Sequence, residues 1–368
     1  MGKELLENEF FGEIARFCED EKKIYFFDEI TCGLFYMDKD TYNVGLLMSP
    51  DKFVSSGDFS VLRLIKFEDN IYIIPRNLKF GWRIFNLKSR SLDVRFPFDR
   101  DETIGNVMKI GSSLYIIPEQ TNQAFAKFDI VTGMAKVLSN HWYDIVEPKE
   151  CWGCSAYSDE IIFPIIGTNE IICFKDENID RVRPALDEGI ASVCLDNDGL
   201  WVLPELGDFI YNDDRKSGVS KIPIGSEGTT AGDYFRIISV GEYIILLPKT
   251  DDNVLLYKKK ENRWICVEGS RGNRFRVLFR NIPNKNVPFW GYSFYAKKLR
   301  FMPQRYRLAE MDLETGKMNF RKMNCGEGFT GEQYKKWAKR KAHTGQNGEE
   351  QILRETVFGY LQDFMEYI

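Results

Sequence analysis

A short apolar strand that stops on a proline recurs six times along this chain: Ile71-Tyr-Ile-Ile-Pro75, Leu114-Tyr-Ile-Ile-Pro118, Ile161-Ile-Phe-Pro164, Leu200-Trp-Val-Leu-Pro204, Ile244-Ile-Leu-Leu-Pro248 and Leu299-Arg-Phe-Met-Pro303. A seventh copy, Ile24-Tyr-Phe-Phe-Asp28, puts an acid where the others put proline. The intervals are 47, 43, 46, 40, 44 and 55 residues. Units of this size cannot bury a hydrophobic face alone, so the copies must pack on one another in a ring or a column. Proline has no N–H to give a ladder, which places it at a strand end rather than mid-strand.

Each copy has the same internal order. A first strand ends in a polar turn, as at Glu68-Asp69-Asn70, Gly111-Ser112-Ser113, Asp196-Asn197-Asp198-Gly199 and Gly241-Glu242. These are hairpin signals between β-rich runs. The proline strand follows, then a loop, then a third strand ending at Phe85, Phe128, Phe174, Tyr211, Tyr257 or Met311. A turn such as Thr132-Gly133 or Thr315-Gly316 leads into a fourth strand. Four strands in a period of roughly 45 residues make one propeller blade. The expected fold is all-β: a seven-bladed β-propeller of four-stranded blades over residues 1–329, followed by a C-terminal α-helical extension over 330–368.

The pattern of an apolar strand ending in proline, a loop, then apolar-Asp-x-x-Thr-Gly is clearest at Leu114 to Gly133 and Leu299 to Gly316. It resembles the seven-bladed propellers of the kelch and WD40 type. The blades have neither an internal Gly-Gly pair nor a closing Trp-Asp. The resemblance therefore implies architecture, and a shared fold does not license a shared function.

The extension breaks the β pattern. Thr330-Gly-Glu-Gln333 has the form of a capping box, and a basic helix-forming run with Lys335, Lys336, Lys339, Arg340 and Lys341 follows. After Gly345-Gln-Asn-Gly348, the apolar residues Leu353, Val357, Tyr360, Leu361, Phe364 and Ile368 fall on one face at helical spacing. Such a face either folds back on the propeller or docks a partner or a second copy of the chain.

Composition narrows the class. A net charge of −5 counts against nucleic-acid binding, which wants a basic field. The acidic start Met1-Gly-Lys-Glu-Leu-Leu-Glu lacks the apolar core of a signal peptide, and no run is long enough for a membrane span. Eight scattered cysteines, several within strands, fit free thiols in a reducing cytoplasm. Cys151-Trp-Gly-Cys154 is a single pair with His141 upstream, short of the four ligands that tetrahedral zinc takes, so no metal and no cofactor is expected.

Strand order separates two faces. Loops after second and fourth strands emerge together at the mouth, and the tight turns emerge at the other end, which is expected to be plain. The mouth receives the long segments 97–106, 139–153, 225–232 and 269–290, and long loops on a rigid scaffold are where binding residues concentrate. Trp142 and Tyr143 supply aromatic contact area; Arg271 and Arg274 suit carboxylate or phosphate partners. Arg76, Glu119, Glu205 and Lys249, each just after a strand-terminal proline, vary in charge from blade to blade and are expected to set selectivity around the axis.

With only two histidines, His141 and His343, and no nucleophile elbow, triad chemistry has little to work with. The reading is a non-catalytic cytoplasmic scaffold that recognises a protein or glycan-bearing partner, or a small molecule, through its long-loop face. The alternative is a carboxylate-based hydrolase or lyase acting on a sugar or small metabolite in the axial pocket. Asp28, Glu29, Glu119, Glu205 and Asp208 would then converge at the mouth as acid and base.

Overall fold

The structure is a computed structural model. It describes residues 16–28, 31–50, 61–98, 101–119, 123–139, 155–175, 178–184, 186, 188–214, 218–225, 229–248, 254–267, 292–295, 297–301, 307–325, 328–330, 332–333 and 336–337. Seven antiparallel blades form a β-propeller ring, and each contributes four strands that run outward from the axis in chain order. The inner strands are Arg16–Glu19, Val61–Phe67, Ile104–Ile110, Ser155–Tyr157, Ile190–Asp196, Tyr234–Val240 and Tyr292–Tyr295.

Second strands carry the apolar runs because they are covered on both sheet faces by neighbouring blades. In blade 5, every residue of Gly199–Pro204 is buried. By contrast, the outer strand Asn178–Val182 of blade 4 is almost wholly exposed. A strand covered on both faces needs no polar alternation. Seven apolar clusters fill the ring, one at each seam between adjacent blades.

Pro75, Pro118, Pro204 and Pro248 close the second strands of blades 2, 3, 5 and 6, and Pro164 is the next-to-last residue of its strand in blade 4. Asp28 closes the equivalent strand of blade 1. Pro303 lies outside the described residues. Opposite each closing proline the inner strand shifts register, skipping Leu62, Gly105, Ala191 or Phe235. A bulge of this kind lets the ladder pass a residue that cannot donate.

The Asp-x-x-Thr-Gly turn works through its side chain. Asp129 Oδ1 accepts from the Thr132 N–H at 2.7 Å, and Asp312 Oδ1 accepts from the Thr315 N–H at 2.9 Å. Gly133 and Gly316 then take φ of 72° and 66°, the left-handed region that closes the turn. Asp38 and Asn86 build the same turn in blades 1 and 2, accepting at 2.9 Å from Thr41 and Ser89.

The ring closes between blades 7 and 1. The two-residue strand Asn324–Cys325 adds in parallel to the outer edge of blade 1, opposite Asn43 and Val44. The chain then enters a helical turn at Thr330. Gln333 Oε1 accepts from the Thr330 N–H at 2.8 Å, and Thr330 Oγ1 accepts from the Gln333 N–H at 3.2 Å, completing the expected capping box. Trp337 packs against Phe329 at the closure seam, ring centroids 6.4 Å apart. The described residues contain no longer helix, and the expected apolar helix over 349–368 lies outside them. Cys18, Cys32, Cys173, Cys194 and Cys266 take part in no disulfide; Cys151 and Cys154 lie outside the described residues.

The tight-turn face is not plain, contrary to expectation. Lys259, in a turn of blade 6, reaches back to Asp196 at 2.8 Å and Asp198 at 2.7 Å in the hairpin of blade 5. Burial alone would lower the Lys259 pKa, yet the two carboxylates hold it above its usual value. Short turns bring charges of neighbouring blades close enough to pair.

Candidate functional site

The mouth rim is made by the backbone just after each second strand and by the connections between blades. These two kinds of segment hydrogen-bond to one another. The Arg76 carbonyl accepts from Ile104 N–H at 2.9 Å, the Thr168 carbonyl from Ile190 at 2.8 Å, and the Gly207 carbonyl from Ala231 at 2.7 Å. In each case the loop of one blade holds the strand that enters the next. The rim is thus stitched along its circumference.

Side chains extend the stitching. Arg76 of blade 2 donates to Glu119 of blade 3 in an ion pair. The Glu119 N–H donates to Gln123 Oε1 at 3.1 Å, and Gln123 Nε2 donates to Thr103 Oγ1 at 3.2 Å. Asn77 adds a 3.0 Å hydrogen bond to Asp101 on the same connection. Glu205 of blade 5 accepts from the Gly167 N–H of blade 4 at 3.1 Å. Gly189 makes room for it: a Cβ there would stand 2.6 Å from Glu205 Oε2.

Buried charge supports the rim of blade 4. Glu170, at the mouth end of its third strand, pairs with Arg181 and lies 2.5 Å from Arg183. Burial pushes the Glu170 pKa up, and the two guanidiniums more than offset that and hold it below the ordinary carboxylate value. At blade 1, Asp28 is fully buried and accepts from the Thr31 hydroxyl at 2.6 Å and the Thr31 N–H at 3.1 Å. It shapes the turn that follows its strand.

The structure therefore gives Arg76, Glu119 and Glu205 a first role other than the selectivity expected of them: they join blade to blade. The signal for one of these pairs was present in the sequence. Arg76 and Glu119 follow Pro75 and Pro118, occupy equivalent places in successive repeats and carry opposite charges. Gln123, Thr103 and Gly189 could not be found that way, since nothing in their own repeat marks them. Trp142, Tyr143, Lys249, Arg271 and Arg274 lie outside the described residues, as does Glu29. Among the described residues no group of three His, Cys, Asp or Glu side chains is placed to hold a metal ion. No described helix is long and apolar enough to cross a membrane.

No family model matches the chain, and the search of curated proteins gives no match. Solved structures do match in fold. Streptogramin B lyase superposes with a TM-score of 0.59 at 12% identity, over 85% of this chain and 94% of that one. PorZ, a surface component of the type-IX secretion system of Porphyromonas gingivalis, gives 0.56 at 10% identity, over 87% of this chain but 39% of that one. The computationally designed protein Ika8 gives 0.53 at 9% identity, over 88% and 92%. At these identities the likeness is one of fold. The chain is a seven-bladed β-propeller, and an enzyme, a secretion component and a designed protein of similar fold illustrate how little such a fold says about activity.

Proposed function

We propose that this chain is a non-catalytic cytoplasmic scaffold whose mouth face recognises a protein or glycan-bearing partner. One observation carries the reading. Of the five described charges named as mouth-face candidates, four are engaged in holding the rim: Arg76 with Glu119, Glu205 with the Gly167 N–H, and Asp28 with Thr31; the fifth, Asp208, is exposed. Carboxylates committed in this way are poorly placed to act as an acid and base pair, whereas a stitched rim suits loops that must be presented in fixed positions. Segments 140–154 and 268–291 join described strands at this same end of blades 3, 4, 6 and 7. In this reading Trp142, Tyr143, Arg271 and Arg274 are the anchors, because large aromatics and arginines usually carry most of the binding energy. The apolar residues Leu353, Val357, Leu361 and Phe364 of the C-terminal segment serve in this reading for docking on the propeller or for self-association.

The test is co-purification from the native host with the intact chain and with Trp142→Ala/Arg274→Ala. A specific partner lost in the double variant, while the folded state is kept, is the expected result. Retention of the same partner would place recognition elsewhere. Glu119→Gln and Glu205→Gln serve the carboxylate-enzyme alternative: loss of turnover of a sugar or metabolite, with unchanged stability, would replace the scaffold reading.

A further inference from the structure

A cavity of about 220 Å³ lies among the inner strands of blades 1, 2, 3 and 7, in the half of the ring nearer the tight turns. It is separate from the mouth rim and uses none of its residues. Its polar lining is Cys18 and Glu19 from blade 1, Arg63 and Lys66 from blade 2, Lys109 from blade 3 and Ser293 from blade 7. Three cations thus line the cavity, with Glu19 as its carboxylate.

Glu19 does not neutralise those cations. Its Oε2 is already held by Lys39 at 2.5 Å and Arg300 at 2.8 Å, and its buried Oε1 has no hydrogen-bond partner among the described residues. Lys66 has a partial counter-charge in Asp20, 3.5 Å away, and donates to the Glu68 carbonyl at 2.9 Å. Arg63 has no ion-pair or hydrogen-bond partner among the described residues although it is half-buried. Lys109 is exposed and, among the described residues, has only the face of the Phe67 ring, 5.3 Å from its ammonium. Burial pushes the Cys18 thiol up to about 12, so it contributes no negative charge at neutral pH.

A guanidinium removed from bulk water without an acid to meet it is costly, and the cost is relieved by an oxyanion that takes its paired N–H groups. The register strengthens the bias. Arg63 faces the residue before Pro75, and the matching places in blades 1 and 6 are Arg16 and Arg236. Three inner strands therefore carry arginine at this register, while blades 3 and 5 have Asn106 and Ser192 there.

We propose that this cavity binds a small organic anion through carboxylate or phosphate oxygens, with Arg63 as the anchoring residue and Lys109 as the second cation. The size is suitable: a cavity of about 150 Å³ holds a benzene-sized ligand, so this one accommodates a small polycarboxylate or phosphate ester. Phe17, Leu64, Ile65 and Val107 complete the lining.

Titration calorimetry of the full chain with citrate and with inorganic phosphate, at matched ionic strength, tests this. The expected result is saturable binding of at least one probe, weakened about tenfold or more by Arg63→Gln, which is about 1.4 kcal/mol. Lys109→Gln should weaken it by a smaller factor. Lys88→Gln, on an outer turn beside Asp69, should leave it unchanged. Citrate alone binding assigns the site to polycarboxylates, and phosphate binding assigns it to phosphate groups. Should Arg63→Gln fail to fold, Lys109→Gln carries the test, because that exposed side chain has no ion partner among the described residues to lose. Absence of saturable heat with either probe at about 10 mM, a concentration that detects millimolar affinity, overturns the proposal. So does affinity unchanged in both Arg63→Gln and Lys109→Gln.

Discussion

The seam between blades 2 and 3 and the seam between blades 7 and 1 solve the same packing problem with different chemistry. At the first, Trp82 is fully buried and meets Phe128 at 4.8 Å and Phe98 at 6.2 Å between ring centroids. The charged pair of that seam, Arg76 with Glu119, sits at the rim with Arg76 half exposed. At the second, the aromatic contacts are Phe26 with Phe35 at 5.6 Å and Phe35 with Phe329 at 5.4 Å. A buried ionic layer is added: Arg300 bridges Glu19 and Glu310, each at 2.8 Å, and Tyr42 donates to Glu310 at 3.1 Å. Adjacent blades elsewhere are joined by continuous chain, so their pairing is dictated by connectivity. Blades 7 and 1 are far apart in sequence and must find each other. A buried ion pair adds little net stability but strongly disfavours wrong pairings.

The largest effects should come from the interior of the two seams. Trp82→Ala is expected to cost about 3–5 kcal/mol, as for other large aromatic deletions in a packed core. Denaturant unfolding measures it, and a cost under about 1 kcal/mol would mean that the indole is not a keystone of this seam. Arg300→Met should cost about 3 kcal/mol by leaving Glu310 buried against its lost partner. Here the two seams diverge. Adding Glu310→Gln should recover much of the loss, since Glu19 keeps Lys39 and the remaining amide is neutral. No single companion change recovers a deleted indole. If the Arg300→Met/Glu310→Gln double variant is no more stable than Arg300→Met alone, the contrast between a packing seam and a charge seam is wrong.

A smaller effect follows from the turn that recurs on both sides of the ring. Hydrogen bonds from the Thr315 N–H are the first cause that holds Asp312 below its usual carboxylate value, against the opposing effect of burial. Thr132 does the same for Asp129. The folded-state pKa is depressed, so this stabilisation is fully present above the unfolded value of about 3.9. It is lost as pH falls through the lower folded value. Asp312→Asn keeps the acceptor without the titration. The melting temperatures of wild type and variant, compared from neutral pH down to about pH 3, should show a steeper acid loss in the wild type. Parallel curves would remove Asp312 from the acid response.

Architecture was legible because its signal is written seven times. The buried second strands, their terminal prolines, the polar hairpins and the Asp-x-x-Thr-Gly turns each repeat, so a single ambiguous copy could be read from the others. Features that occur once were not. Asn324–Cys325 is too short to carry a period, yet it closes the ring. Arg300 and Glu19 are separated by 281 positions, and nothing local to either marks the other as its partner. Glu19 and Lys259 stand beside polar turns, and nothing in their own segments marks them as covered. What buries them is the neighbouring blade, which hydropathy of their own segment cannot show. The rim charges were read as ligand contacts because their variation between blades looked like specificity. Variation between adjacent repeats can instead be complementarity between them.

That last point gives the gentlest test. Arg76 and Glu119 lie 43 residues apart, close to one repeat, and join two blades at the rim. Half-exposed ion pairs contribute little, so Arg76→Ala should cost no more than about 1 kcal/mol, and less at high salt. The swap Arg76→Glu/Glu119→Arg keeps one charge of each sign. It should lie closer to wild type than either single charge reversal, both of which place like charges together. A double-mutant cycle on chemical unfolding resolves the coupling. If the pair is a blade-to-blade contact, the coupling is favourable and the swap restores it. A coupling of zero would return Arg76 and Glu119 to the list of residues available to a ligand at the mouth.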